Sequence, residues 1–200
     1  MPDIEIPTSH HIDRSQFFHP KPTLRNILKD ATTADHRRLD AGLGALPLDT
    51  ADGYRRFLEI NATALLPLES ALADAGVRRL LPDWDLRIRT DAIMGDLAAL
   101  GGASRHLSVD ALPNRAAMLG TLYVLEGSRL GAAYLLKSLA RSNDPLVSGN
   151  TRYLRHGAGR HFWASFLDVL ENHETIDADD VARSARRTFD LFAETVRGLS

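Results

Sequence analysis

The 200-residue chain contains no cysteine, which excludes disulfides, thiolate metal sites, iron–sulfur clusters and a cysteine nucleophile. No apolar run reaches the roughly 18 residues of a membrane span, and the opening MPDIEIPTSHHIDRS lacks the charged start and apolar core of a signal peptide. The 24 Lys and Arg residues nearly balance the 26 Asp and Glu residues, so no general nucleic-acid-binding surface is indicated. We therefore expect a cytoplasmic protein that binds neither membrane nor nucleic acid.

The composition predicts a single domain, because 44% hydrophobic and 25% charged residues in a chain of this length suit one sizeable core. Residues 1–22 hold four prolines among polar residues and are expected to form a mobile arm. The pair His10-His11 falls in this arm, where an incidental pair is the simpler interpretation than a metal site.

From Thr23 onward the apolar residues recur with helical spacing, whereas the alternation typical of strands never persists. The predicted fold is therefore all-α, a single helical domain over residues 23–200. The pattern predicts a helix over 23–41 with Thr23 as its N-cap, and a second helix that is interrupted or kinked near Pro67 and resumes over 68–76. Further helices are predicted over these ranges: 91–100, 114–141, 157–172 and 177–198.

The predicted helix 114–141 contains the apolar stretch LYVLEGSRLGAAYLLK, which includes Gly127 and Gly131. Each glycine inside a helix costs roughly 0.5–1 kcal/mol relative to alanine. At about 100° per residue, Gly120, Val124, Gly127, Gly131 and Tyr134 fall within a sector of about 80°. This face is either a close crossing with another helix or a groove for a flat ligand, and a second feature is needed to decide between them.

That second feature lies in the first predicted helix, in the segment LKDATTADHRRLD. His36 follows Lys29 by seven residues, so both lie on nearly the same side of the helix, about 10 Å apart along its axis. An imidazole and an ammonium at this separation suit a planar ligand with a metal at its centre and a carboxylate at its edge, such as haem. An exposed histidine and a solvated lysine are the ordinary alternatives.

Three segments resemble the haem oxygenases, particularly the bacterial members associated with bacteriophytochromes. LKDATTADHRRLD is similar to their proximal helix, LYVLEGSRLGAAYL to their glycine-containing distal helix, and YLRHGAGRHFWASF to the aromatic and glycine pattern of their C-terminal helices. In order and spacing the resemblance spans about residues 23–198. It implies a helical haem oxygenase that cleaves haem to biliverdin, carbon monoxide and iron, using dioxygen and electrons from a ferredoxin or reductase, with a bacteriophytochrome as an expected biliverdin acceptor.

Carried over by residue, the resemblance makes His36 the axial ligand of the haem iron and Lys29 a partner of a haem propionate. Gly127 and Gly131 would let the distal helix approach the haem, and Ser128 would hold ordered water beside it. Tyr123 would lie at the pocket edge. Two further residues, Lys137 and Arg160, are candidates for a second propionate partner, with plain surface charges as the alternative.

The chain departs from the family pattern at two positions of the distal helix. Ala132 stands where a second glycine is frequent, and we expect it at the margin of the groove. Arg129 stands where a small or uncharged residue is common, and it is expected to point away from the groove because it lies about 160° from Gly127 around the helix. These departures leave two alternatives open: a haem-binding or haem-sensing protein without turnover, and a haem-free interaction module on the same fold.

Overall fold

The computed structural model describes residues 22–139, 141–172 and 176–198, and all regular structure in this part of the chain is helical. The all-α prediction is therefore confirmed. The predicted arm lies outside the described residues except for Pro22, and the pair His10-His11 lies outside them too. No helix in the described ranges is long and apolar enough to cross a membrane.

Eight α-helices follow one another along the described chain, with two short 3-10 helices, Val77–Arg79 and Trp84–Leu86, between the second and third. The α-helices are α1 Leu24–Gly44, α2 Ala51–Asp74, α3 Thr90–Ala99, α4 Arg115–Leu139, α5 Pro145–Gly149, α6 Arg152–Arg155, α7 Phe162–Glu171 and α8 Ala178–Gly198. The short helices α5 and α6 were not predicted, because four or five residues are too few for a periodic pattern to show.

The first helix begins as its sequence predicts. The hydroxyl of Thr23 accepts a hydrogen bond from the backbone N–H of Asn26 at 3.3 Å, which satisfies one of the donors left free at a helix start. The helix ends at Gly44, three residues beyond the predicted end.

Helix α2 is one continuous helix with Pro67 inside it, so of the two alternatives predicted near Pro67 the interruption is wrong and the kink stays a prediction. Proline removes one backbone donor from the helix, which usually breaks it. Here Leu65, Leu68 and Leu72, which lie within about 60° of one another around the helix, are buried. Packing of this face compensates for the lost hydrogen bond.

The predicted start of the helix 157–172 is also wrong, because α7 begins only at Phe162. Gly157 and Gly159 adopt φ values of 79° and 77°, which belong to the left-handed region and cannot continue a right-handed helix. Residues 157–161 form a loop that leads from α6 into α7.

Helices α1 and α4 both pack on α8, and they run in the same direction along it. On one side of α8, Arg186 donates to the carbonyl of Ala31, and further along Arg38 pairs with Asp190. On the other side, the hydroxyl of Ser184 donates to the carbonyl of Ala117. Both α1 and α4 pack extensively on α8 and make few contacts with each other. The fold therefore leaves a groove between α1 and α4.

Candidate functional site

His36 lies on α1 with most of its side chain exposed. Its Nδ1 atom is 2.8 Å from Oδ2 of Asp40, one turn further along the helix. The imidazole ring meets the edge of Phe189 of α8 at a centroid distance of 5.9 Å. Since Nδ1 is occupied by the carboxylate, Nε2 is the nitrogen left to coordinate a metal.

Tyr123 of α4 connects the two helices at one end of the groove. Burial raises the pKa of its phenol, and the hydroxyl of Thr32 on α1 opposes this shift, which places these two side chains beside each other. Thr32 is itself buried and donates to the carbonyl of Leu28. One turn earlier on α1, Lys29 is exposed to solvent. Thr32 and Tyr123 are therefore neighbours on α1 and α4, and His36 lies one turn beyond Thr32 on α1.

The three glycines on the predicted face of α4 have three different environments. A Cβ at Gly120 would lie 2.4 Å from the carbonyl oxygen of Val181, so this glycine permits the close crossing of α4 and α8. A Cβ at Gly127 would make ordinary contact with Trp163, at 3.6 Å. A Cβ at Gly131 would meet nothing within 4 Å. The helix-crossing interpretation is thus right for Gly120, whereas Gly131 faces open space and is available to a ligand.

An aromatic wall stands beside Gly127. The ring of Trp163 on α7 lies 5.7 Å from the ring of Tyr123 and 5.8 Å from that of Phe166. Phe166 is fully buried, whereas Trp163 is only half-buried. Trp163 therefore gives the groove an apolar side next to the distal helix.

Ser128, the predicted holder of water, is engaged by protein groups in this structure. Its hydroxyl donates to the carbonyl of Leu125 at 2.7 Å and accepts from Nη1 of Arg89 at 3.0 Å. A hydroxyl oxygen has two lone pairs, so one acceptor position is left for a water molecule. Arg89 is buried behind α4 and also donates to the carbonyl of Leu125, which fixes the turn that carries Gly127.

Sequence reasoning missed a buried cluster of charges on the opposite side of α4. The carboxylate of Glu126 accepts from Arg87 at 3.0 Å and from Arg129 at 2.9 Å. Arg87 makes further hydrogen bonds to Asp83 and to the carbonyl of Phe162. The cluster joins α4 to the segment before α3 and to α7. Glu126 is the single acidic residue of an otherwise apolar helix, and that isolation was the available signal for a buried cationic partner.

Arg129 points into this charged cluster and away from the groove, as its position on the helix predicts. Its Nη2 atom donates to the carbonyl of Arg87 at 2.6 Å. Burial lowers the pKa of its guanidinium, and the charge of Arg89 acts in the same direction. Ala132, expected at the margin of the groove, is instead buried in the core. Its methyl group faces the packed side of α4, so the predicted position was wrong.

His156 sits beside Arg129 at the start of the loop 156–161. Its Nδ1 atom is 3.3 Å from Nη1 of Arg129, and since a guanidinium only donates, Nδ1 must accept and the ring is neutral. Burial lowers the pKa of His156, and the charges of Arg129 and Arg89 lower it further.

The two predicted partners for a second propionate lie in different surroundings. Lys137 is exposed in the last turn of α4. Arg160 is exposed in the loop before α7, where its guanidinium lies 6.0 Å from the centroid of Phe162. The guanidinium groups of Arg87 and Arg129 lie over the same ring at 4.6 and 5.1 Å. Arg160 is thus near the charged cluster, whereas Lys137 extends the helix that carries Gly131.

A surface cavity of about 700 Å³ lies near the C-terminal end of α4. It is lined by Asp49, Thr50, Ser138, Arg141, Ser142, Asn143 and Asp144. None of the residues predicted for the site lines this cavity. The groove at His36 and Gly131 is the stronger candidate, because its side chains have the chemistry that the sequence singled out, and it is an open surface between two helices.

Comparison with known proteins agrees with this geometry. The sequence profile described as Heme oxygenase matches residues 23–198. The chain is 29% identical over 188 residues to Heme oxygenase PigA of Pseudomonas aeruginosa, covering 88% of this chain and 94% of that protein. It is also 29% identical over 121 residues to a heme oxygenase of Xanthomonas campestris pv. campestris, covering 60% of this chain and 73% of that protein.

Among solved structures, the fold is similar to that of the NO- and CO-bound heme oxygenase from Neisseria meningitidis, with a TM-score of 0.70 and 23% identity. That match covers 88% of this chain and 92% of the other. The match to the family profile covers most of the chain, and the chain therefore belongs to the haem oxygenase family. Membership gives it the reaction of the family, the oxidative cleavage of haem.

Proposed function

We propose that this chain binds haem between α1 and α4, with His36 as the axial ligand of the iron, and cleaves it to biliverdin, carbon monoxide and iron. The observation that supports the proposal most is the contact between Asp40 and Nδ1 of His36, which leaves Nε2 of the exposed imidazole available to coordinate iron. When bound, the haem supplies the oxygen chemistry, and the protein supplies binding, orientation and electrostatics.

The residues of the groove fit a planar ligand with an iron centre and one anionic edge. Gly131 leaves open space on α4, so a macrocycle is able to approach the backbone of the distal helix there. Gly127 and the ring of Trp163 form an adjoining side. We assign catalytic support to Gly127, Gly131 and Ser128, because they shape the distal side and Ser128 keeps one acceptor position for water.

Two lysines offer a cation to the propionates, from opposite ends of the groove. Lys29 lies on α1, two turns before His36, and Lys137 lies at the end of α4. Because α1 and α4 run in the same direction and both propionates leave one edge of the macrocycle, we propose the two lysines as alternative propionate partners, with Tyr123 seating the edge of the macrocycle. Arg160 is kept as an alternative partner, and its contact with Phe162 on the far side of α4 makes it weaker than Lys137.

The reaction requires partners beyond the haem itself. We propose that dioxygen and electrons from a ferredoxin or reductase are the co-substrates, that the protein works in the cytoplasm, and that a bacteriophytochrome accepts the biliverdin. The support for the acceptor is the sequence resemblance to members associated with phytochromes.

An absorption titration with hemin, continued with ascorbate or a ferredoxin system in air, tests this function. We expect a stoichiometric Soret band that gives way to the broad red absorption of biliverdin, identified by chromatography. A stable Soret band without biliverdin would assign the chain to haem binding or sensing. No specific Soret band would indicate an interaction module that has lost haem.

A further inference from the structure

Two large apolar side chains of α4, next to Gly131, are exposed to solvent. Leu130 is 57% exposed and Tyr134 is 76% exposed. They are one helical turn apart, and in the described part of the chain the other exposed large apolar side chains are Leu86 and Leu146, on separate elements. A single exposed leucine needs no explanation, whereas an adjacent pair beside a candidate groove marks a surface for binding.

The pair borders the open part of the groove. At about 100° per residue, Leu130, Tyr134, Lys137 and the open Gly131 share a sector of about 120°, with Gly131 at one edge and the cation at the other. Arg129 lies about 140° from the middle of this sector, where its guanidinium pairs with the buried carboxylate of Glu126. This strip of α4 presents exposed backbone at Gly131, apolar side chains at Tyr134 and Leu130, and a positive charge at Lys137. Such a surface is complementary to a flat apolar ligand with an anionic edge.

We propose that Tyr134 is a specificity-determining residue of the haem site. Its ring, supported by Leu130, packs against the porphyrin bound over Gly131 and fixes the rotation of the macrocycle about its axis through His36. That rotation decides which meso carbon is cleaved. The inference rests on the proposed function, because it takes haem as the occupant of the groove.

The ring of Tyr134 contributes through its apolar area, so removal of the ring and removal of the hydroxyl have different consequences. Loss of a large apolar side chain that becomes buried on binding weakens affinity about 10- to 100-fold. We expect this loss for Tyr134→Ala, together with a mixture of biliverdin isomers in place of the wild-type distribution. Tyr134→Phe keeps the apolar area and is expected to match the wild-type protein in both properties.

The test measures hemin affinity by quenching of tryptophan fluorescence in the full chain, followed by chromatographic separation of the biliverdin isomers. Leu86→Ala is the matched control, because Leu86 is 53% exposed and adjoins Arg87 on the far side of α4. Circular dichroism checks that each variant is folded.

Unchanged affinity or an unchanged isomer distribution in Tyr134→Ala overturns the inference while leaving the proposed function intact. A Tyr134→Phe protein as weak as Tyr134→Ala also overturns it, because the hydroxyl and not the ring would then carry the effect. Failure of the wild-type protein to bind hemin overturns the proposed function, and the inference with it.

Discussion

The imidazole of His36 is held by the carboxylate of Asp40, whose Oδ2 lies 2.8 Å from Nδ1 on the next turn of α1. Both side chains are more than 60% exposed, at 63% and 65%, so the pair contributes little to folding stability. In the proposed function its consequence lies in haem binding, because a partner on Nδ1 sets both the tautomer and the orientation of a ligating ring.

Replacing Asp40 with alanine is expected to weaken hemin binding or turnover about 10- to 100-fold, the usual cost of losing the partner of a metal-bound histidine. The iron–histidine stretching frequency of the ferrous protein should fall, as measured by resonance Raman spectroscopy. Asp40→Glu is the matched control, since it retains a carboxylate within reach. Identical Raman spectra for wild type and Asp40→Ala would show that Asp40 does not act through His36.

Substitution by alanine is expected to change the free energy of unfolding in opposite directions at Gly120 and at Gly131 of α4. Gly120→Ala should destabilise the fold by about 1–3 kcal/mol, because its Cβ would lie 2.4 Å from the carbonyl of Val181 and the two helices would have to separate. Gly131→Ala should stabilise the fold by roughly 0.5–1 kcal/mol through helix propensity, since its Cβ meets nothing.

Urea unfolding of the two glycine variants measures this difference. A larger side chain at Gly131 tests whether a ligand binds over this residue. Gly131→Leu is expected to keep the helical circular dichroism spectrum and to block the access of haem or oxygen. Wild-type turnover by Gly131→Leu would contradict the groove between α1 and α4.

The buried acid of α4 is expected to be the most sensitive charged position. Glu126→Gln leaves the guanidinium groups of Arg87 and Arg129 without their shared carboxylate, and loss of one partner of a buried ion pair costs roughly 3–5 kcal/mol. Denaturant unfolding measures the loss. Asp52→Asn, which disrupts an exposed pair with Arg55, is the control and should change stability little. A Glu126→Gln protein as stable as that control would refute the cluster's role.

The lowered pKa of His156 predicts a specific pH dependence of stability. The unfolded chain binds a proton near the ordinary histidine pKa of 6.5, whereas the folded chain resists it because burial and the charges of Arg129 and Arg89 disfavour the imidazolium. The stability contributed by neutral His156 is therefore complete above pH 6.5 and decreases as the pH falls below it. Thermal unfolding at a series of pH values measures this decrease.

The His156→Gln variant keeps a hydrogen-bond acceptor but has no imidazole to protonate. Its free energy of unfolding should therefore depend less on pH than that of the wild-type protein below pH 6.5. If the stabilities of the two proteins depended on pH in the same way, protonation of His156 beside Arg129 would not be the cause of the loss.

The long helices were predictable because their apolar residues repeat over several turns, and α1, α3, α4 and α8 start and end close to their predicted positions. An interruption or a kink at Pro67 was predicted from local chemistry, and the helix continues through Pro67, where Leu65, Leu68 and Leu72 are buried. Helix α7 starts late because Gly157 and Gly159 adopt left-handed conformations. A glycine is able to adopt this conformation but is not obliged to, so the sequence alone did not predict the start.

The site was predictable only in part for a similar reason. Helical spacing places His36 and Lys29 on one side of α1, and it places Gly127 and Gly131 together on α4. Spacing within one helix cannot show which neighbour covers each residue. The different environments of Gly120 and Gly131 follow from where α8 crosses α4, and the contact of Ser128 with Arg89 joins residues 39 positions apart.

The axial role of His36 is tested most directly by the hemin absorption spectrum of wild type and His36→Ala, recorded in the ferric and ferrous states at equal protein concentration. We expect a histidine-ligated Soret band in the wild-type protein and its loss or displacement in His36→Ala, with exogenous imidazole restoring the band. Unchanged Soret and ligand-field bands in His36→Ala would contradict the assignment of His36 as the axial ligand.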